Sequence, residues 1–469
     1  MDVSIWWIRR DLRLRDNYAL QEAISTSDIV IPLFILDPKL IESSRSSQRR
    51  LDFLYQSLAE LDKDLQARGS RLIVRKGNPV DALTDLVNES KAKHIFAEAD
   101  YSPYARNRDE MVAKRLPLKL TGGLSVGHPE ALVNQNGKPY KVFTPFMRNW
   151  KAKYIVQADQ ILSSPERIET PAGIKSESLP ALPEATPHLI FEPGEKAAFA
   201  KLDSFLKSPE TGISKYADQR NMLDTDGTAG ISPYLRFGML SIRQCVYAAQ
   251  QVITGGLDDQ SKASAETWLN ELIWREFYIA ILYHFPEVMK VSFREEMRAI
   301  PWRNEGNEFL AWCEGRTGFP VVDAGMRQLS STGWMHNRNR MIVASFLVKD
   351  LAIDWRWGEK YFMQQLIDGD PAANNGGWQW VAGTGTDAAP YFRVFNPVLQ
   401  GKKFDPSGDY VRRWLPELKD VPEQFIHSPW KMPMEIQEQS NCIIGEQYPY
   451  PIIDHKIARE RILEIYKKA

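Results

Sequence analysis

Three segments in the second half of the chain bring together residue types that could do chemistry. In WLNELIWREFY, residues 268–278, Trp268, Glu271 and Arg275 fall at i, i+3 and i+7, and Trp274 and Tyr278 are i, i+4 neighbours. One helix thus presents two indoles, a carboxylate and a guanidinium, a set that also describes a core helix with an internal Glu271–Arg275 pair. In GWMHNRNRMIVASFLVKDL, residues 333–351, Asn337, Arg340 and Met341 share one side of a helix, and an apolar stripe through Ile342 and Phe346 takes another. Polar groups that face inward need partners. DGDPAANNGGWQW, residues 368–380, can supply them, with Asp368, Asp370, Asn374, Asn375, Trp378 and Trp380 in close succession. The aspartates lack the regular spacing and closing glutamate of a calcium loop, so no metal is expected, while helix capping by the DGDPAA start stays open. Together the segments imply a buried polar cavity walled by tryptophan, suited to a large heteroaromatic cofactor.

Other chemistries lose their supports. The chain has no GxGxxG or Walker loop and no GxSxG elbow, and its seven histidines never pair at metal-ligand spacing. Cys245, Cys313 and Cys442 are odd in number and widely spaced, which suggests neither a disulfide framework nor a cysteine metal site. A formal net charge of −1 carries no bulk basic footprint, so any polyanion site must be a local patch. Of 14 tryptophans only Trp6, Trp7 and Trp150 precede residue 268, which concentrates the oxidisable side chains in the last two fifths.

The elements that must position these residues read as two domains, since 469 residues exceed one ordinary core. VSIWWI (3–8), IVIPLFIL (29–36), RLIVRK (71–76) and HIFAE (94–98) are β-rich runs that alternate with helical periods such as Leu51, Leu54, Tyr55, Leu58, Leu61 and Leu65. This predicts a parallel α/β domain over 1–130. Six prolines between Ile161 and Gly194 mark a connector, placed at 131–200, and helical periods over 262–285 and 321–352 predict a nearly all-helical domain over 201–469. Charged residues interrupt every apolar stretch short of a membrane span, and MDVSIWWIRRDLRLRD lacks the apolar block of a signal peptide, so the expectation is a cytoplasmic or nuclear protein.

WLNELIWREFY, TGWMHNRNRM and IDGDPAANNGGWQWVAGTGTDAAPYFRVFNP, with the opening WWIRRDLRLRDNYAL, closely resemble the photolyase and cryptochrome family over essentially the full chain, nearest its class I cyclobutane pyrimidine dimer photolyases. The resemblance implies a Rossmann-like α/β antenna domain, a long connector, and an all-α domain that holds a folded FAD. It assigns cofactor contacts to Tyr216, Thr228, Ser232, Trp268, Arg275, Arg340, Asp368, Asp370 and Asn374: the hydroxyls of Thr228 and Ser232 toward the diphosphate, Arg340 and Asp368 as a pair beside the isoalloxazine, Asn374 toward flavin N5. Ala229 and Gly230 depart from the family's pattern, where many members carry Ser and a bulkier or basic residue. Trp378, Trp355 and Trp302 match the tryptophans along which an electron reaches the photoexcited flavin.

Toward substrate, the resemblance sets Trp274 and Trp380 as aromatic faces for a pyrimidine dimer, Glu271 at the base edge, and Asn337, Arg338 and Met341 around the pocket, with Arg220 and Arg393 near the DNA strand. Lys402, Lys403, Arg412 and Arg413 extend this toward phosphate or form a solvated surface. A dimer stacks and pairs poorly, so extruding it costs less than flipping an ordinary base. The implied reaction is light-driven repair by reduced FAD, and the alternative in the same family is a cryptochrome that binds FAD without repair. Glu271, Trp274, Asn337, Met341 and Trp380, and a chain that ends in IARERILEIYKKA with no long tail, favour repair; a (6-4) enzyme would show histidine at positions 337 and 341. FILDP (34–38) and YSPYARNRD (101–109), with Ala105 in place of a folate-binding glutamate, resemble members whose second chromophore is a deazaflavin or a flavin and not methenyltetrahydrofolate. The expected partner is dimer-containing DNA, and the expected state is a monomer, nucleoid-associated in the cytoplasm if the source is bacterial or archaeal.

Overall fold

The computed structural model describes residues 2–181, 190–255 and 258–468. The chain divides into two compact units, the first made of Met1–Ala217, Thr228–Pro286 and Ile367–Ala372, the second of Asp218–Gly227, Glu287–Leu366 and Ala373–Ala469.

The first unit is built on five parallel strands, β1 (Val3–Ile8), β2 (Ile29–Leu36), β3 (Ile73–Lys76), β4 (His94–Glu98) and β5 (Leu118–Thr121), in the order β3-β2-β1-β4-β5. Central β1 sets Ile5 opposite both Ile31 and Ile95. Its side chains Ile5 to Ile8 are buried on both faces, the condition that makes a parallel strand read as a continuous apolar run. The strand order reverses between β1 and β4, so the carboxyl ends of these two strands open the crevice where such sheets hold ligands. The helices that matter for this unit's site are α1 (Gln48–Gln66), which buries Tyr55, Leu58, Leu61 and Leu65 of the predicted stripe, leaves Leu51 and Leu54 half-buried and buries Phe53 beside them, α2 (Pro103–Ala113), α3 (Phe143–Lys153), α4 (Ser232–Phe237) and α5 (Asp259–His284).

The proline-rich connector overlaps residues 182–189, which lie outside the described residues. Its earlier part lines the sheet: Ile168 N donates to Arg68 O, Val30 N to Glu169 O, Val74 N to Ser176 Oγ and Glu177 N to Val74 O. Residues 168–177 thereby occupy backbone groups along edge strand β3 that would otherwise be open to pairing.

The second unit is helical, and α6 (Asn337–Ser345), α7 (Trp355–Gln365) and most of α8 (Pro371–Ala382) surround a core that includes Trp312, Met326, Ile342, Phe346, Trp355, Phe362 and Trp378. The helical period over 321–352 is divided here. Helix Pro320–Thr332 stops at Gly333, whose φ of +72 suits glycine, then His336 Nδ1 accepts from Arg338 N to start α6, and a π-helical turn follows at Phe346–Asp350. Among the described residues no helix is long and apolar enough to cross a membrane.

Candidate functional site

In the first unit, the segment after β1 is laced to α4 and to residues 367–372. Arg10 Nε donates to Arg236 O, Leu12 N to Phe237 O, and Arg13 Nη1 to Gly238 O. Gly238 ends α4 at φ +70, and a Cβ there would stand 1.8 Å from Arg10 O, so this close approach admits only glycine. Arg10 Nη2 donates to Asp370 at 2.5 Å; burial opposes the Arg10 charge, but Asp370 and Asp100 outweigh it and hold its pKa above the ordinary arginine value. Asp370 Oδ1 also accepts from Ala372 N, the capping anticipated for DGDPAA. Ser232 Oγ donates to Asp368 Oδ2 at 2.6 Å. Arg236 donates to Gly369 O, and burial, reinforced by Arg10, pulls its pKa down to about 9.

Arg50 is likewise buried, its pKa lowered to about 10, with Asp368 the favourable charge. Arg10, Arg50 and Arg236 thus crowd Ser232, Asp368 and Asp370 with cations that burial disfavours. Although Asp100, Asp368 and Asp370 balance their charge, the guanidiniums and the Ser232 hydroxyl are hydrogen-bond donors of the kind that can hold a diphosphate. Tyr216 and Trp268, both buried, meet the Phe205 ring at centroid distances of 5.9 and 5.1 Å. Thr228 is half-buried, and Arg275 Nη1 donates to Leu124 O at 2.6 Å.

Helix α5 is buried at 13 of its 26 positions, yet Thr267, Glu271, Trp274 and Tyr278 keep partial exposure at steps of four and three. The expected base-edge carboxylate and the expected aromatic face therefore share one partly exposed strip of the helix. At the sheet, the two segments singled out for an antenna come together: Tyr104 of α2 donates through its hydroxyl to Asp37, just beyond β2. Beside them Arg9 and Arg108 pair with Asp109, and both guanidiniums stack on Trp7.

In the second unit, Arg338 donates to Asn221 Oδ1 at 2.7 Å and lies 4.5 Å over the Phe404 ring, and Arg340 Nε donates to Met335 O. His336 is buried among them: burial first, then Arg340, Arg338 and Arg220, drives its pKa down to about 4, so it is a neutral ring amid a cationic patch. Asn337 is exposed and Met341 half-buried on the following turn. Asn374 Nδ2 donates to Glu359 O and Oε1, which fixes its amide orientation and turns its carbonyl oxygen away from that partner.

Trp378 packs edge-on against Phe362 at 5.0 Å and lies so near α7 that a Cβ on Gly358 would come within 2.1 Å of it. Trp355 is fully buried, and half-buried Trp302 meets Tyr466 edge-on at 6.1 Å. Trp380 is half-buried and Arg393, Lys402, Lys403 and Arg413 are exposed, whereas Arg412 is spent on the Ser407 and Val421 carbonyls. No cluster of potential metal ligands occurs among the described residues.

Sequence reasoning missed Arg10, Arg236 and Glu276. The doubled arginine of WWIRRDLR was the only local signal for the first, and nothing in a single sequence couples Glu276 to its partner Trp150, 126 positions away.

A family model described as DNA photolyase matches residues 4–169, and one described as FAD binding domain of DNA photolyase matches residues 268–468. The chain is 40% identical to the deoxyribodipyrimidine photo-lyase of Escherichia coli, covering all of this chain and 99% of that one. A solved bacterial class III photolyase from Agrobacterium tumefaciens superposes with a TM-score of 0.92 at 37% identity, covering 100% of this chain and 97% of its own. A Synechocystis cryptochrome superposes at 0.88 with 30% identity, covering 99% of each chain.

Proposed function

Because this chain is an enzyme of the DNA photolyase family, we propose that it repairs cyclobutane pyrimidine dimers in DNA under blue or near-UV light. The observation that carries this reading is the partly exposed strip of α5, where Glu271 and Trp274 stand one turn apart between buried neighbours Leu272, Ile273, Glu276 and Phe277. Trp274, with Trp380, offers the indole faces on which an extruded base stacks, worth about 1 to 3 kcal/mol per base. The Glu271 carboxyl hydrogen-bonds the base edge, where negative charge develops. Asn337, Arg338 and Met341 close the lesion pocket, and Arg220 and Arg393 attract the strand's phosphates.

Tyr216, Thr228, Ser232, Trp268, Arg275, Asp368, Asp370, Arg340 and Asn374 hold FAD, with the cations at Ser232 favouring its diphosphate. Bound FAD in its reduced state supplies light absorption and the electron that opens the dimer and then returns, so the reaction has no net redox change. Trp378, Trp355 and Trp302 are oxidisable indoles that keep the cofactor reduced. On the resemblance of FILDP, YSPYARNRD and Ala105, a second chromophore of deazaflavin or flavin type would sit at the carboxyl ends of β1, β2 and β4, where Tyr104 meets Asp37. The α/β domain at 1–130 would house it, the connector would occupy 131–200, and residues 201–469 would house the FAD.

Photoreception without repair is the second reading, favoured by the likeness to the Synechocystis cryptochrome. Two variants separate them. Glu271→Ala should keep FAD yet repair fewer dimers per absorbed photon, and Trp274→Ala should chiefly weaken dimer binding. Wild-type protein that binds FAD but neither binds nor repairs dimer-containing DNA would favour the photoreceptor.

A further inference from the structure

Phe143, the first residue of α3, lies against Trp274 with ring centroids 3.6 Å apart and an interplanar angle of 5°. Aromatic pairs left to themselves prefer an offset or edge-on arrangement at about 4.5 to 7 Å, so nearly complete overlap is imposed by the surroundings. Those surroundings are explicit. Phe143, Phe146 and Trp150 recur at i, i+3 and i+7 on α3 and are all buried. Phe277 of α5 receives Phe143 at 5.8 Å and Phe146 at 5.3 Å. At the far end, Trp150 Nε1 donates to Glu276 Oε2 at 2.6 Å, and Val126 N donates to the other carboxyl oxygen at 2.6 Å. One helix is therefore pinned on the other at both ends of the aromatic stripe, and Phe143 has no room to withdraw from the indole.

The consequence is directional. Phe143, 7% exposed, stacks on one face of Trp274, while Phe277 meets the indole edge-on at 5.6 Å and Tyr278 lies tilted against it at 5.5 Å. With Phe143 stacked on one face, a ligand ring can reach Trp274 only on its other side, and rotating the indole would require displacing a buried phenylalanine. We infer that Phe143 is a positioning residue for lesion recognition, a fixed backstop that holds Trp274 in one orientation so that a planar base can be received on a single side. An indole already immobilised loses no rotamer freedom on binding, which is the advantage of preorganisation. The inference rests on the reading of Trp274 as facing the lesion.

The test uses the FAD-loaded full chain in the dark, with fluorescence anisotropy on an oligonucleotide that carries one cyclobutane thymine dimer and on its undamaged counterpart. Phe143→Leu keeps an apolar side chain of similar volume but removes the stack. It should weaken dimer binding about three- to tenfold, move affinity for undamaged DNA by less than about twofold, and leave FAD content intact. Phe143→Tyr restores the ring and should restore the preference for damaged DNA. If Trp274→Ala loses dimer affinity while Phe143→Leu matches wild type, the backstop is refuted and the lesion-facing role of Trp274 stands. If Phe143→Tyr is as impaired as Phe143→Leu, packing alone explains the residue and the inference fails. If Trp274→Ala matches wild type, the reading of Trp274 itself is wrong and the inference falls with it.

Discussion

Replacing Glu276 by glutamine should change how stability depends on pH. Glu276 is 5% exposed, and burial lifts its pKa from 4.5 to about 7 against the two hydrogen bonds its carboxyl accepts, from Trp150 Nε1 and Val126 N. Because the folded value is the higher one, the folded state binds the proton more tightly, and stability falls as pH rises from about 4.5 to about 7. Above that range the group is ionised in both states and the burial cost is complete. The gap of about 2.5 pH units corresponds to about 3 kcal/mol at about 1.4 kcal/mol per unit. Glutamine has no titration, and its single carbonyl can serve only one of the two donors, a loss of about 1 to 3 kcal/mol that is independent of pH.

Glu276→Gln should therefore be less stable than wild type at pH 5, and the difference should close or reverse by pH 8, a relative change of about 2 to 3 kcal/mol. Denaturant unfolding of both proteins at the two pH values measures this change directly, since the constant loss of a hydrogen bond cancels between them. Unfolding curves that keep a fixed separation from pH 5 to pH 8 would show that Glu276 is ionised throughout, and the account of α3 held on α5 by a largely protonated carboxyl at low pH would be wrong.

Three further outcomes are expected. Arg10→Leu strands Asp370 and Asp100 without their cation and should cost about 3 to 5 kcal/mol, read as a lower denaturant midpoint with reduced FAD retention; an unchanged midpoint would make the pair incidental. Trp302→Phe should leave FAD bound but sharply slow photoreduction by an external donor, and an unaltered rate would remove Trp302 from the electron route. Affinity for DNA should fall with added salt despite a net charge of −1, and Arg393→Ala should lower the log–log slope by about 0.9 if it meets one phosphate; a flat salt response would contradict a phosphate-lined surface.

Much of the architecture was readable because it obeys one period at a time. VSIWWI, IVIPLFIL and HIFAE are strands of a sheet buried on both faces, and the Leu51 to Leu65 stripe is a helix on that sheet. β5 escaped because LKLT alternates apolar and polar residues for only four positions, too few to stand out, and Lys119 and Leu120 are both exposed, so burial does not follow the alternation. The stretch 321–352 hid three pieces because the apolar period resumes after Gly333 with little change of composition. On α5, spacing alone brings Glu271 and Trp274 one turn apart. The arginines that surround Asp368 and Asp370 come from residues 10, 50 and 236, and Trp150 reaches Glu276 across two helices, so tertiary packing chooses these partners and no local pattern announces them.

Lesion choice is read directly in one illumination experiment. Reduced, FAD-loaded protein is irradiated with two defined oligonucleotides, one carrying a cyclobutane pyrimidine dimer and the other a (6-4) photoproduct, and restored pyrimidines are counted in each. With asparagine at 337, methionine at 341, and Glu271 beside Trp274, the cyclobutane dimer should be restored and the (6-4) product left intact. Restoration of only the (6-4) product would contradict the account at those residues, and restoration of neither would contradict it altogether.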